Sequence, residues 1–240
     1  MDLNNKIVLV TGSSRGIGAA CAKAFAEKGA RVVIHYHQNK AGAEKTKKAC
    51  GADWAIQANL ENLADCQKLI QTAVAKYGRI DVLVNNAGIS TRHMDVLANM
   101  EKKWQTMMDV NLRAPFFLSQ YTRPHMPTGG CIVNVSSIRA YKPKNALSPY
   151  GTTKAGINYV TKALARDFAP DVRVNAVAPG YVRTEMLEKF YGEKIADLEK
   201  ETPIGRLIQP VEIAHAVIFL AENDAVTGHT LVVDGGYLVG

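Results

Sequence analysis

Lys6-Ile7-Val8-Leu9-Val10-Thr11-Gly12-Ser13-Ser14-Arg15-Gly16-Ile17-Gly18 is the stretch that decides the fold. An unbroken apolar run with almost no polar alternation is the pattern of a strand buried on both faces. Small residues follow, allowing a sharp turn and a close backbone approach, and then a helical pattern begins at once. A helix N-terminus presents free N–H groups and the positive end of a dipole, which together attract a phosphate. Glycines alone say little, but strand before and helix after are the context such a turn requires.

Outward from this unit, apolar runs recur at Arg31–Tyr36, Trp54–Gln57, Val82–Asn85, Cys131–Val135, Val172–Ala178 and Leu231–Val233. Stretches of helical length alternate with them: Ile17–Lys28, Ala41–Cys50, Asn62–Tyr77, Glu101–Tyr121, Tyr150–Phe168 and Val211–Leu220. Gly29, Gly51 and Gly78 stand where three of these helices should end, the position glycine favours just past a C-cap. The alternation predicts an α/β fold of Rossmann type, a doubly wound, seven-stranded parallel sheet with helices on both faces. With 240 residues, no linker and no repeat, a single dinucleotide-binding and catalytic domain is expected over 1–240. The segment 181–203 is long, charged and mixed, and reads as a substrate lid.

Composition narrows the classes. At 47% hydrophobic and 21% charged, the chain is an ordinary globular one rather than disordered or fibrous. No apolar run approaches the ~20 residues of a membrane span, and the opening Met1–Gly12 stretch reads as no secretory signal. Cys21, Cys50, Cys66 and Cys131 lack a CxxC pair and read as buried reduced thiols, so a cytoplasmic location is expected. The net charge of +7 comes from scattered Lys and Arg without interleaved aromatics, which argues against nucleic acid as partner.

A dinucleotide gripped through its adenosine 2′-OH usually meets an acidic residue at the end of the second strand. Here that strand runs Ile34-His35-Tyr36-His37-Gln38-Asn39-Lys40, and no carboxylate comes before Glu44. Arg15, inside the glycine turn, has the bidentate geometry for a 2′-phosphate, and His35, His37 or Lys40 would add to that pocket. NADP(H) is therefore the expected cofactor. Two histidines without a third ligand make a poor metal site, so no metal is expected.

Tyr150 and Lys154 lie four residues apart after Pro149, which puts both side chains on one helix face. Lowering a phenol from about 10 towards 7 takes roughly 4 kcal/mol of preferential phenolate stabilisation, and a nearby ammonium has the right sign. Around this pair stand Asn85-Asn86-Ala87-Gly88 after the fourth strand, Asn111 in Val110-Asn111-Leu112, and Ser136-Ser137 after the fifth. Pro179-Gly180 with Thr184, and Val233-Asp234-Gly235-Gly236, complete the set. In order and spacing, over nearly the whole chain, these motifs resemble the short-chain dehydrogenase/reductase family, closest in layout to its 3-oxoacyl-carrier-protein reductase-like members.

The resemblance implies an NADP(H)-dependent oxidoreductase that interconverts a carbonyl and an alcohol. Ser137 would polarise the substrate carbonyl, with Ser136 the weaker choice. Tyr150 would give or take the proton, Lys154 would hold the ribose and depress the Tyr150 pKa, and Asn111 would anchor a water leading to solvent. Gly12, Ser14, Arg15, Gly16, Ile17 and Gly18 would line the phosphates, with His35, Tyr36, His37, Asn59 and Leu60 on the adenosine side. Asn86, Ala87 and Gly88 would pass the ribose, and Pro179, Gly180, Val182 and Thr184 the carboxamide. Asn59 stands where the family usually has an aspartate. A homotetramer is the family expectation, drawing on Val211–Leu220 and Tyr237-Leu238-Val239.

The substrate is the open point. A small-molecule carbonyl or alcohol and a 3-oxoacyl thioester both fit the resemblance. Arg123-Pro124-His125-Met126-Pro127 and Ala169-Pro170-Asp171 replace stretches that would dock an acyl carrier protein. Arg92, His93, Arg139, Lys142, Lys144 and Arg183 form an expected basic rim that would draw an anion or stay solvated. A nucleotide-sensing protein without turnover is the alternative from another class.

Overall fold

The computed structural model describes residues 1–90, 100–144 and 148–239. Seven parallel strands form one sheet in the order β3-β2-β1-β4-β5-β6-β7. They are β1 (Ile7–Val10), β2 (Arg31–Tyr36), β3 (Ala55–Gln57), β4 (Val82–Asn85), β5 (Gly130–Val135), β6 (Val172–Pro179) and β7 (Thr230–Val233). β1 pairs with β2 on one side, Val8 opposite Val32, and with β4 on the other, Val8 opposite Val82. The winding reverses between β1 and β4, and the crevice this opens at the carboxyl ends of the strands is where such sheets bind ligands.

Alternate residues of each strand feed two separate cores, as a pleat demands. Val8 and Val10 pack with α1 (Gly16–Glu27) and α9 (Pro210–Glu222), through Phe25, Val217 and Leu220. Ile7 and Leu9 face the other layer, where α3 (Leu63–Tyr77), α5 (Ala114–Thr122) and α6 (Ser148–Phe168) bring Leu69, Leu118 and Leu164. Side chains of this kind, fully removed from water, contribute roughly 2–3 kcal/mol each. α2 (Lys40–Ala49) covers the β2–β3 end.

The expected strands and helices are present, with boundaries shifted by a residue or so. Gly29, Gly51 and Gly78 take positive φ past the ends of α1, α2 and α3, the conformation that needs no Cβ. Two expectations change. The helix expected over Glu101–Tyr121 is divided into α4 (Met100–Met108) and α5 by a π turn at Asp109–Arg113. Pro115 has no N–H to offer the carbonyl four residues back, that of Asn111, so the α ladder cannot continue there. The lid segment is not an irregular loop: it carries α7 (Glu185–Tyr191) and α8 (Ile195–Lys200). Leu187, Tyr191 and Ile195 from it close a small core over Tyr181, Leu198 and Leu207.

None of the helices, over the described residues, is long and apolar enough to cross a membrane. All four cysteines are free thiols. Three are buried, but Cys50 is only half-buried, because it sits at the surface end of α2 rather than beneath it.

Candidate active site

A cleft of about 700 Å³ runs along the carboxyl ends of β1, β2, β4, β5 and β6. The glycine turn floors one end. Gly12 has φ +64°, and a Cβ there would stand 2.8 Å from Ala87 Cα; one on Gly18 would stand 2.4 Å from the Gly12 carbonyl oxygen. Asn86 Nδ2 donates to the Thr11 and Gly12 carbonyls at 2.8 and 3.1 Å, and the Asn86 and Ala87 amides both donate to Thr11 Oγ1 at 3.0 Å. The turn is thus bolted to β4. No side chain caps the N-terminus of α1, so its first-turn N–H groups are left for a ligand on the cleft side. A tight turn with no room for side chains and unclaimed amides beyond it fits a pyrophosphate.

Every residue assigned to the cofactor lines this cleft: Gly12, Ser14, Arg15, Gly16, Ile17 and Gly18, with His35, Tyr36, His37, Asn59 and Leu60, then Asn86, Ala87 and Gly88, and Pro179, Gly180, Val182 and Thr184. Lys40 begins α2 and is not among the lining residues.

His35 has another job than the one expected. It is buried, its Nδ1 accepts from the Gly12 amide at 2.9 Å, and its Nε2 lies 3.2 Å from the Ala58 carbonyl. Burial lowers its pKa to about 4, so at neutral pH the ring is uncharged, accepting at Nδ1 and donating at Nε2. It holds the glycine turn in place and supplies no cation for a phosphate. Arg15 is exposed at the mouth of the cleft, 3.5 Å from Glu185 of α7. Asn59 Oδ1 accepts from the Glu61 amide at 3.1 Å, so part of its capacity is already used in a local turn. Thr184 Oγ1 caps α7 through the Leu187 amide at 3.3 Å.

At the other end of the cleft, Ser137, Tyr150 and Lys154 converge. The two serines are sorted by their partners. Ser136 Oγ donates to Asn158 Oδ1 at 2.6 Å and lies 3.2 Å from the Lys154 carbonyl, whereas Ser137 lines the cleft beside the Tyr150 phenol and acts to lower its pKa. Lys154 is buried, donates to the Val135 carbonyl at 2.7 Å and sits 5.6 Å from the Tyr150 ring centre. Burial pulls its ammonium down to about 8.

The Tyr150 phenol lies above its ordinary value. Burial raises it, and Ser137 and the positive charge of Arg139 offset part of that. The positive charge of Arg139 thus bears on the phenol alongside Lys154, whose ammonium stands over the ring.

Asn111 is fully buried and does not line the cleft. Its Oδ1 accepts from the Ile89 amide and its Nδ2 donates to the Ile89 carbonyl, both at 2.8 Å, with Thr153 Oγ1 a further 3.3 Å acceptor. The side chain clamps the strand exit after β4.

Sequence reasoning set Arg139 among rim cations. It is buried, its amide donates to Ser137 Oγ at 3.1 Å, and its guanidinium donates to the Tyr181 and Tyr237 hydroxyls at 2.8 and 3.3 Å. Arg183 is tied to Glu199 at 2.7 Å. Arg92 and His93 lie outside the described residues. Among the described residues no cluster of His, Cys, Asp and Glu could hold a metal ion.

A family model described as enoyl-(acyl carrier protein) reductase matches residues 12–238. An uncharacterised oxidoreductase of Methylorubrum extorquens is 38% identical over 98% of both chains. The 3-oxoacyl-[acyl-carrier-protein] reductase of Thermotoga maritima is 36% identical over the full length of both. Among solved structures, a short-chain dehydrogenase/reductase of Serratia marcescens superposes with a TM-score of 0.92 at 36% identity, covering 99% of each chain. A Burkholderia cenocepacia short chain dehydrogenase in complex with NADP also gives 0.92, at 32% identity over 99% of this chain and 100% of that one. Matched by the family model over residues 12–238 and by these relatives along its whole length, the chain belongs to the short-chain dehydrogenase/reductase family of oxidoreductases.

Proposed function

We propose that the protein is an NADP(H)-dependent reductase of a small carbonyl compound, working in reverse as an alcohol dehydrogenase. The observation that carries this reading is the convergence of Ser137, Tyr150 and buried Lys154 on the same cleft as the glycine turn. When bound, the nicotinamide supplies the hydride for reduction or takes it up in oxidation. Ser137 donates to the carbonyl oxygen, holding it against the Tyr150 hydroxyl. Tyr150 gives its proton as negative charge builds on that oxygen, and the positive charge of Arg139 works against the burial that raises the phenol. Lys154 holds the ribose hydroxyls. Arg15 pairs with the 2′-phosphate, Asn111 acts by positioning the backbone at Ile89, and α7 with α8 covers the substrate.

The expected assembly is a homotetramer in the cytoplasm. A second reading, reduction of a 3-oxoacyl thioester, is favoured by the Thermotoga maritima relative. Against carrier docking, Arg123 is occupied by Asp171 at 2.7 Å.

The test is fluorescence titration with NADPH and NADH, followed by loss of reduced-nicotinamide absorbance with ketones and with 3-oxoacyl thioesters. Tight NADPH binding and turnover that falls by about a thousandfold or more in Tyr150→Phe are expected. Binding without turnover of any carbonyl would move the reading to a nucleotide sensor.

A further inference from the structure

The cleft does not end at Tyr150. Beyond Ser137 its wall continues through Arg139, Tyr181 and Tyr191, and next to it lies a second cavity of about 360 Å³ lined by Lys142, Lys144, Glu201 and Tyr237. The Arg139 guanidinium lies against a pair of phenol rings, 5.3 Å from the Tyr181 centre and 5.1 Å from the Tyr237 centre. Lys144 Nζ donates to the Tyr181 hydroxyl and lies 5.0 Å over its ring.

The charges here do not balance. Arg139 is only 7% exposed, yet its acceptors are the Lys142 carbonyl and two tyrosine hydroxyls, all uncharged. Among the described residues no carboxylate lies within ion-pair distance of it. The single acidic group of the cluster, Glu201, is 3.7 Å from Lys144 and 3.3 Å from the Tyr181 hydroxyl. A buried guanidinium has five N–H donors, and burying one without a counter-charge is costly. In a cleft wall, a carboxylate or phosphate of a ligand can supply the anion that the planar guanidinium fork pairs with.

We propose that Arg139, supported by Lys144 and Tyr181, is a specificity-determining subsite for an oxyanion on the substrate, making the preferred substrate a small oxo acid or a phosphorylated ketone. Because the Arg139 amide itself holds Ser137 Oγ, anion site and reacting carbonyl are linked within three residues, which suits a compact molecule carrying both groups. The inference rests on the carbonyl-reductase reading of the cleft.

The experiment compares kcat/KM for pyruvate, acetoacetate and levulinate with their methyl esters, and for dihydroxyacetone phosphate with dihydroxyacetone. In the wild type at least one anion is expected to exceed its neutral partner by about tenfold or more. The carboxylate and phosphate arms tell which oxyanion is meant. In Arg139→Gln that ratio should fall about tenfold, mostly through KM, and in Lys144→Gln about threefold. Thermal protection by succinate or phosphate, present in the wild type and lost in Arg139→Gln, reads the subsite without turnover. Should Arg139→Gln not fold, Lys144→Gln still reports through both measurements.

Equal use of acids and esters by the wild type, without protection by either anion, overturns the subsite while leaving the reductase standing. An equal loss for acid and ester in Arg139→Gln also overturns it, since the arginine would then act only on the Ser137–Tyr150 pair. Protection by an anion with no turnover of any carbonyl keeps the subsite and rejects the reductase.

Discussion

Burial shifts the titration of single side chains in this cleft, and each shift has a cost that can be measured. Lys154 is buried with its pKa lowered to about 8, equivalent to on the order of 3 kcal/mol of lost solvation relative to the unfolded chain. We expect Lys154→Met to abolish turnover and yet raise stability by about 1–2 kcal/mol, after the loss of its bond to Val135 is counted. Paired activity and urea-midpoint measurements check this, and a less stable variant would contradict it. His35 contributes a pH dependence of known sign. Its native pKa is about 4, below an ordinary value near 6.5, so the unfolded chain takes up the proton first as pH falls. Its contribution is complete above about pH 6.5 and is lost progressively between about 6.5 and 4, roughly 3 kcal/mol in all. In His35→Gln the drop in urea midpoint from pH 7.5 to 5 should be visibly shallower than in the wild type.

At the scale of elements, the helix ends are tied down by residues far away in sequence. α9 terminates against Arg173 of β6, whose guanidinium donates to the carbonyls of Leu220, Ala221 and Val226 at 2.7, 2.7 and 3.1 Å. This satisfies C-terminal carbonyls that the helix itself cannot. Arg173→Leu takes this donor from the Leu220 and Ala221 carbonyls, while Val226 keeps Asn175 Nδ2 at 2.8 Å, and should cost about 3 kcal/mol, read as a lower urea midpoint with the slope unchanged. Asn111 plays the same part at the exit of β4. Asn111→Leu strands the Ile89 amide and carbonyl, for which about 2 kcal/mol is expected, with kcat falling because the backbone beside Lys154 loosens. If kcat fell with no change in midpoint, Asn111 would instead act in proton transfer.

For the molecule as a whole, cofactor binding and stability are linked. A ligand that binds only the folded chain stabilises it by about 2.7 kcal/mol at a hundred times its dissociation constant, and a chain of this size gains roughly 2–4 °C per kcal/mol. NADPH should therefore raise the melting temperature by several degrees. In Arg15→Ala that shift should shrink more than the shift produced by NADH; equal shrinkage would remove Arg15 as the 2′-phosphate partner.

The amino-acid sequence by itself determined the parallel sheet, because both-face burial writes continuous Val, Ile and Leu runs such as Ile7–Val10 that no other element explains. Spacing alone put Tyr150 and Lys154 on one helix face, and the resemblance of the motifs to a known family implied that Ser137 and the glycine turn share their cleft. What the sequence left undecided was the charge and employment of polar side chains. His35 and His37 looked alike as strand histidines, and Arg139 looked like any rim cation. Only the fold brings Gly12 and Ala58 to the His35 ring, and lays Tyr181 and Tyr237, 42 and 98 residues away in sequence, against Arg139. The physical reason is that burial and pairing of a charge are set by whichever distant segments pack around it, and no local pattern of residues carries that information.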